Sequence, residues 1–157
     1  MTVAKYGKTA QVTAVDLSAA ALAVASRNAV KHGVAERIRF LEGDLFAPVP
    51  AGERFDFILS NPPYIPHADI AALAPGVRDY EPHIALDGGP DGFAVFDRLL
   101  AGAPERLKPG GFLIVEIGSA QEAPARQRIE AAGVYELGTT ILDGSRHPRV
   151  LRARNAK

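Results

Sequence analysis

The chain has 157 residues, of which 47% are hydrophobic, with 12 prolines and 15 glycines spread along it. A chain of this length and composition fits one globular domain with a sizeable core, and it differs from disordered and fibrous sequences. Lysine plus arginine equal aspartate plus glutamate at 18 each. The overall charge therefore does not favour binding to nucleic acid or to an anionic membrane.

Cysteine is absent, which excludes disulfides and thiolate metal sites, and the four histidines show no ligand spacing. We expect no metal site. The N-terminal residues lack the long apolar segment of a signal peptide, and nowhere do 18 apolar residues run together. We therefore expect a cytoplasmic protein without a membrane-spanning segment.

The first 60 residues predict alternating strands and helices. The β-branched segment QVTAVDLS predicts a strand that ends at Asp16, and Ser18 is a good N-cap for a helix that closes at Gly33. ERIRFLEGDLF alternates with the period of a second strand. RFDFILS predicts a third strand with Ile58 on one face and Phe57 on the other, which is typical of a sheet covered on both faces.

The rest of the chain continues this alternation. Residues 65–91 predict a long loop with a helical turn near ADIAALA, because they carry no sustained period. The further elements are a helix in DGFAVFDRLLAGAPERL that Pro104 kinks or restarts, a turn at KPGG, a strand FLIVEIG, a helix in SAQEAPARQRIEAAG, and a closing strand pair in VYELGTTILD and HPRVLRAR. The pattern predicts an α/β sandwich with a mostly parallel sheet.

Three polar residues follow the predicted strands: Asp16, Asp44 and Asn61. In open α/β sheets, ligands bind beyond the carboxyl ends of the strands. A carboxylate in the position of Asp16 can accept hydrogen bonds from the ribose hydroxyls of a cofactor. An ordinary aspartate beside a positive helix N-terminus is the alternative for Asp16, and Asp44 alone is no more specific.

The tetrapeptide Asn61-Pro62-Pro63-Tyr64 is more specific. The residue before each proline is restricted to extended backbone angles, so the segment is stiff and its hydrogen-bond acceptors are preset. An Asn61 side-chain oxygen and the Pro62 carbonyl could together hold an NH2 group, with Tyr64 against the plane that carries it. Such acceptors localise the lone pair of a poorly nucleophilic amide or aromatic amine nitrogen. A rigid loop terminator is the alternative.

The segment ILSNPPYIP resembles motif IV of S-adenosylmethionine-dependent methyltransferases that modify planar amino groups. Together with AVDLSAAALAVASRNAVKHG, FLEGDLF, VRDYEPHIALDGGPDGF and LKPGGFLIVEIG, it resembles the HemK-type glutamine methyltransferases of peptide-chain release factors. The resemblance extends from residue 11 to the end. It implies a Rossmann-like class I methyltransferase sandwich and a single catalytic domain over residues 1–157.

The resemblance also implies roles for individual residues. Asp16, with Leu17 beside it, would bind the ribose of S-adenosylmethionine, and Asp44 and Leu45 would contact the adenine. Asn61 would border both the cofactor and the substrate.

The remaining implied roles concern the substrate, which in this family is the glutamine of a Gly-Gly-Gln sequence in a release factor. Asn61 and Pro62 would hold the glutamine amide and act in catalysis, and Tyr64 would form the wall of the pocket. Pro63 belongs to the same substrate-binding loop. Glu81 matches the next loop of the family. The sequence is equally consistent with a role of this residue in shaping the substrate pocket and with a purely structural role.

The chain departs from the family in one respect. The family has a strand and glycine-rich turn before the Asp16 strand, and a helical N-terminal domain, whereas no Gly-x-Gly-x-x-Gly occurs here. Because that first strand lies mid-sheet, we expect a truncated domain with two unpaired edges or a rearranged sheet. We expect weak cofactor binding, slow or no methylation, and pairing with a second copy or a partner chain.

Two other functions stay open. One is methylation of adenine or cytosine amino groups in DNA or rRNA, for which the basic tail SRHPRVLRARNAK would be suited, although a solvated last strand explains the tail more simply. The other is a catalytically inactive fragment that survives as a partner-binding domain.

Overall fold

A computed structural model describes residues 1–157, which form two compact units, Met1–Glu53 and Arg54–Lys157. None of the helices combines the length and apolar character needed to cross a lipid bilayer. The elements are, in chain order, α1 (Thr2–Tyr6), β1 (Val12–Asp16), α2 (Ala19–Lys31), β2 (Ile38–Glu42), β3 (Phe55–Ser60), α3 (Pro75–Arg78), α4 (His83–Leu86), α5 (Ala94–Arg106), β4 (Leu107–Glu116), α6 (Glu122–Ala131), β5 (Tyr135–Leu137), β6 (Ile141–Leu142) and β7 (Pro148–Asn155).

The first unit is a β-α-β arrangement in which β1 and β2 pair in parallel. Helix α2 begins where the sequence predicts, because the Ser18 hydroxyl accepts a hydrogen bond from the Ala21 N–H at 3.1 Å. It is followed by Gly33, whose positive φ of 65° suits the turn that ends the helix. The core of this unit is small and consists of buried Ala4, Ala29, Val34 and Ile38 with partly buried neighbours.

The second unit has a sheet with strand order β3-β4-β7-β5, and β6 also pairs with β7. Strand β3 is parallel to β4, whereas β7 is antiparallel to β4, β5 and β6. One face of this sheet belongs to the core together with apolar residues of α5 and α6. The buried residues on that face include Leu113, Val115, Leu151 and Ala153.

The α/β class is confirmed, and so is the closing strand pair. The parallel pairs are β1/β2 and β3/β4. The strands nevertheless form two sheets rather than one. Strand β1 bonds only to β2, and β3 bonds only to β4, so each has an unpaired edge in this structure.

The expectation that both faces of β3 are covered is wrong for this chain. Ile58 is buried, but Phe57 and Leu59 on the opposite face are 56% and 55% exposed. Phe57 stacks on Phe112 of β4, with ring centroids 5.9 Å apart. The open face of the sheet is therefore apolar at β3.

Helix α5 runs through Pro104, so the predicted restart of the helix is wrong. Proline has no N–H, which leaves the Leu100 carbonyl without its usual helical donor. The Tyr135 hydroxyl donates a hydrogen bond to that carbonyl at 2.8 Å. A residue of β5 thus replaces the missing backbone donor.

The predicted turn at KPGG is also wrong, because β4 begins at Leu107 and includes these residues. Gly110 has a φ of 74°, and the pairing of β3 with β4 shifts register between Phe55 and Phe57. Gly111 packs so closely against β3 that a β-carbon would lie 3.0 Å from the Asp56 carbonyl oxygen. The glycines therefore form an irregular strand start rather than a turn.

The segment after β3 is more ordered than a loop. It contains a 3-10 turn at His67–Ala72, as predicted, and the short helices α3 and α4, which were not predicted. Its base is closed by hydrogen bonds from the Ile65 N–H to the Leu86 carbonyl at 3.0 Å and from the Gly88 N–H to the Ile65 carbonyl at 2.8 Å. These bonds hold the start and the end of the segment together.

Candidate functional site

The two predicted cofactor positions of the first unit lie side by side. Asp16 is the last residue of β1, and its backbone carbonyl accepts a hydrogen bond from the Gly43 N–H at 3.0 Å. Gly43 begins the turn after β2 that contains Asp44 and Leu45. The structure therefore confirms the prediction that both turns follow strands at their carboxyl ends, and it shows that the two strands are parallel neighbours.

The Asp16 carboxylate is exposed and makes one hydrogen bond, from the Ser18 N–H to Oδ1 at 2.8 Å. Its other oxygen is open to a hydroxyl group, since a carboxylate accepts through both oxygens. Leu17 beside it is half exposed, and Leu45 has an unusual positive φ of 46°. A carboxylate with an open acceptor oxygen, next in sequence to an exposed leucine, suits the hydroxyl groups of a sugar.

The second unit contains the tetrapeptide, directly after the last ladder pair of β3, Ser60 with Val115. The Asn61 side chain is exposed. Neither that side chain nor the Pro62 carbonyl makes a hydrogen bond within the chain. The exposed Asn61 side chain is thus open to an external NH2 group, and the carbonyl of the buried Pro62 beside it is unengaged within the chain. The prolines add no competing N–H.

A shallow hollow of about 300 Å³ lies beside Asn61. Its walls combine apolar side chains of the open sheet face with the carboxylate at the end of β4. The lining residues are Leu59, Ser60, Asn61, Ile114, Glu116 and Val150.

Tyr64 is half buried and is held by a residue that the sequence did not single out. The Gln121 side chain donates from Nε2 to the Tyr64 carbonyl at 3.0 Å and to the Gly92 carbonyl at 3.3 Å. No periodic signal could have identified Gln121, because it is 57 residues from Tyr64 and begins an ordinary amphipathic helix pattern. The sequence feature that indicated a close backbone contact here was the glycine-rich segment that contains Gly92.

Glu81 lies in the ordered segment between α3 and α4 and is exposed. Its carboxylate makes no hydrogen bond or ion pair, so the structure does not bring it into contact with the tetrapeptide. Its role in substrate binding stays a prediction.

The end of the same segment carries an ion pair, in which His67 Nδ1 lies 2.7 Å from Asp87 Oδ2. The Gly89 N–H donates to the other Asp87 oxygen at 2.9 Å. The hydrogen bond from His67, followed by that from Gly89, lowers the pKa of Asp87. The carboxylate therefore stays ionised and fixes the loop after Ile65.

Comparison with known proteins shows which families and relatives this chain is similar to. The profile of the methyltransferase small domain family matches residues 1–74. The release factor glutamine methyltransferase of Geobacter sulfurreducens is 53% identical over 112 residues, which are 71% of this chain and 38% of that protein. The corresponding protein of Cereibacter sphaeroides is 51% identical over 132 residues, 83% of this chain and 47% of that protein.

A ribosomal protein uL3 glutamine methyltransferase from Bradyrhizobium diazoefficiens is 50% identical over 113 residues, 72% of this chain and 35% of that protein. The chain thus spans about half the length, or less, of the curated relatives it matches.

Solved structures agree with the fold. TrmN from Thermus thermophilus has a TM-score of 0.63 at 23% identity, covering 98% of this chain and 39% of that one. A methyltransferase from Pyrococcus furiosus has a TM-score of 0.67 at 17% identity, covering 98% and 66%. The solved structures show a methyltransferase fold, and the sequence matches show that this chain is similar to release factor and ribosomal protein uL3 glutamine methyltransferases.

Proposed function

We propose that this chain contributes to the S-adenosylmethionine-dependent methylation of a glutamine side-chain amide in a protein, with the Gly-Gly-Gln sequence of release factors as the substrate. The observation that carries the proposal is the pair of unengaged acceptors, the Asn61 side chain and the Pro62 carbonyl, on a stiff tetrapeptide at the end of β3. Relatives with 51–53% identity that are named release factor glutamine methyltransferases support it.

The cofactor residues in this proposal belong to the first unit. Asp16 would accept hydrogen bonds from the ribose hydroxyls through its open carboxylate oxygen, and Leu17 and Leu45 would contact the adenosine. Asp44 completes the turn, which its carbonyl stabilises by accepting the Ala47 N–H at 2.9 Å. When bound, S-adenosylmethionine supplies a methyl group made electrophilic by the positive sulfonium.

The substrate residues belong to the second unit. The lone pair of an amide nitrogen is delocalised into its carbonyl, so the group is a weak nucleophile. Asn61 and Pro62 would accept its two N–H hydrogens, which fixes the amide and favours a localised lone pair. Tyr64 would pack against the amide plane. The amide nitrogen would gain the methyl group as the methyl–sulfur bond breaks, which leaves S-adenosylhomocysteine, and the surplus proton on nitrogen would pass to solvent water. No side chain has to act as a general base in this arrangement.

Two further observations bear on the substrate class. The basic tail considered for nucleic-acid binding is largely strand β7, where Arg149 pairs with Asp143 at 3.2 Å and Arg154 with Glu136 at 3.1 Å. These arginines are partly neutralised, which favours a protein substrate over DNA or rRNA. The relative named for uL3 makes that ribosomal protein the second candidate substrate.

The test is methyl incorporation from tritiated S-adenosylmethionine, with the chain at stoichiometric concentration because we expect slow turnover. A release factor, uL3, rRNA and DNA are the four acceptors, and mass spectrometry locates the methyl group. We expect label on the Gly-Gly-Gln glutamine. Label on nucleic acid only, or no label with a folded chain that binds S-adenosylhomocysteine, would overturn the proposal.

Variants connect the reaction to the site. Asn61→Ala removes one of the two acceptors, and we expect the rate to fall on the order of a hundredfold, as for other single groups that orient a reacting centre. Asn28→Ala, on the exposed surface of α2, is the matched control and should keep the wild-type rate.

A partner chain or a second copy of the protein is part of the same proposal. Strand β3 has an unpaired edge and exposes Phe57 and Leu59. Unpaired strand edges with apolar side chains readily accept another strand.

A further inference from the structure

The side chain of Gln121 joins three segments of the second unit. Its Oε1 accepts a hydrogen bond from the Gly118 N–H at 2.9 Å, and its Nε2 donates to the carbonyls of Tyr64 and Gly92 at 3.0 and 3.3 Å. The partners fix the orientation of the amide, since a backbone N–H must face the oxygen and backbone carbonyls must face the nitrogen. Both amide hydrogens are in use.

The surroundings leave no room for a different arrangement. Gly92 is buried and has a φ of 79°, and a β-carbon there would lie 2.7 Å from Gln121 Nε2 and would also collide with the Tyr64 carbonyl. A β-carbon on Gly118 would lie 3.0 Å from Gln121 Oε1 and 3.3 Å from the Tyr64 ring. Glycine at both positions allows the backbone to approach the amide closely.

This contact is the first anchor of the loop beyond its prolines. Before the loop, Ser60 is held in the ladder by Val115. Pro62 and Pro63 have no N–H with which to hold the loop. The carbonyl of Tyr64, which Gln121 binds, and then Ile65, which bonds to Leu86, fix the other end.

We propose that Gln121 is a positioning residue for the Asn-Pro-Pro-Tyr loop: by holding the Tyr64 carbonyl, it sets the direction of the Asn61 and Pro62 acceptors without touching the substrate. This inference rests on the proposed function. Because the prolines transmit a displacement of Tyr64 stiffly, release of its carbonyl misdirects both acceptors.

Gln121→Glu is the sharpest test. It keeps the size and the acceptor for the Gly118 N–H but removes both donors and places a carboxylate oxygen against two carbonyls. Gln127→Glu, the same change at an exposed position of α6, is the matched control. Gln121→Met, which removes all three hydrogen bonds at similar volume, is the second variant in case the glutamate variant does not fold.

Two measurements distinguish a positioning role of Gln121 from a purely structural role. In the methyl-transfer assay with release factor, at a temperature where the variant stays folded, we expect kcat to fall about tenfold, as for loss of two hydrogen bonds, with unchanged affinity for S-adenosylhomocysteine. The melting temperature should fall relative to Gln127→Glu, because two carbonyls lose their donor. A kcat equal to that of Gln127→Glu in the folded variant would overturn the inference, as would a loss of cofactor affinity equal to the loss of kcat, which would indicate a merely structural role.

Amide hydrogen exchange followed by NMR is the second readout, and it requires no activity. We expect faster exchange at Ile65 and Gly88, whose N–H groups donate to the Leu86 and Ile65 carbonyls, in Gln121→Glu, with α2 unaffected. If the wild-type chain methylates no glutamine, the proposed function fails and exchange alone decides whether Gln121 holds the loop. Exchange equal to that of Gln127→Glu would overturn the inference in either case.

Discussion

Asp16 uses its two carboxylate oxygens differently, and this allows its role to be tested separately from folding. Asp16→Asn keeps an oxygen for the Ser18 N–H but replaces the open oxygen with a donor. We expect the affinity for S-adenosylhomocysteine to fall about tenfold or more, as for a lost hydrogen bond to a charged group. Calorimetric titration measures this, and the exposed Asp69→Asn is the control. Equal affinities would contradict the assignment.

The loop after the tetrapeptide should depend on pH through Asp87. The His67 hydrogen bond, together with that from Gly89, lowers the pKa of Asp87 in the folded protein. A lowered pKa stabilises the fold above the ordinary aspartate pKa, and this stabilisation is lost as the pH falls through the folded value. We expect the protection of the Gly89 amide, measured against the intrinsic exchange rate of an unfolded peptide at the same pH, to fall in acid below that ordinary value. Asp87→Asn should remove this acid dependence, and a persistent dependence would show that another group is responsible.

At the residue scale, the strand-end positions could be predicted and the residues that hold them could not. Asp16 and Asn61 follow from the end of a period-two pattern and from the position where parallel strands open to ligands. Gln121 depends on a contact 57 residues away in the chain, which local patterns do not encode.

At the scale of elements, Pro104 and Tyr135 should be energetically coupled. Tyr135→Phe leaves the buried Leu100 carbonyl without a donor, which costs about 1–3 kcal/mol. Pro104→Ala restores a backbone N–H four residues after Leu100, so the same tyrosine change should cost less in that background. Urea unfolding of the two single variants and the double variant measures the coupling. Additive effects would show that the carbonyl does not connect them.

Most elements could be predicted because their own residues favour them. Strand β1 is rich in β-branched residues, β2 alternates with a period of two, and β3 is apolar on both faces, while Ser18 and Gly33 mark the ends of α2. The errors occur where tertiary contacts override local preference. Pro104 remains inside α5, where Tyr135 supplies the missing donor. The KPGG segment forms an irregular start of β4, where the ladder with β3 skips from Leu107 to Phe112.

At the scale of the whole molecule, the unpaired edge and open face of β3 predict association. We expect sedimentation velocity to show concentration-dependent self-association, and Phe57→Lys to shift it to higher concentration, because a lysine on an edge strand disfavours pairing and removes an exposed apolar side chain from the open face. Val24→Lys is the control, since Val24 is an exposed apolar residue of α2. A wild-type chain that stays monomeric at all accessible concentrations would contradict the prediction.

The α/β class follows from the alternation of strands and helices, but the division into two sheets does not. Periodicity predicts which residues of a strand face a core. It does not predict which strands become neighbours. The open face of β3 illustrates this, because Phe57 and Leu59 read as buried residues in the sequence and are exposed in this chain.

The hydroxyl that replaces the proline N–H also makes one edge of the second sheet sensitive to alkali. Burial raises the pKa of Tyr135, so its neutral form is favoured by folding. The stabilisation is complete below the ordinary tyrosine pKa and is lost as the pH rises through the folded value, where a phenolate can no longer donate to Leu100. Alkaline titration followed by tyrosine absorbance should therefore show β5 separating from α5 as Tyr135 ionises, and Tyr135→Phe should remove that late step. The side chain that compensates for a proline inside a helix therefore also makes the contact between β5 and α5 dependent on pH.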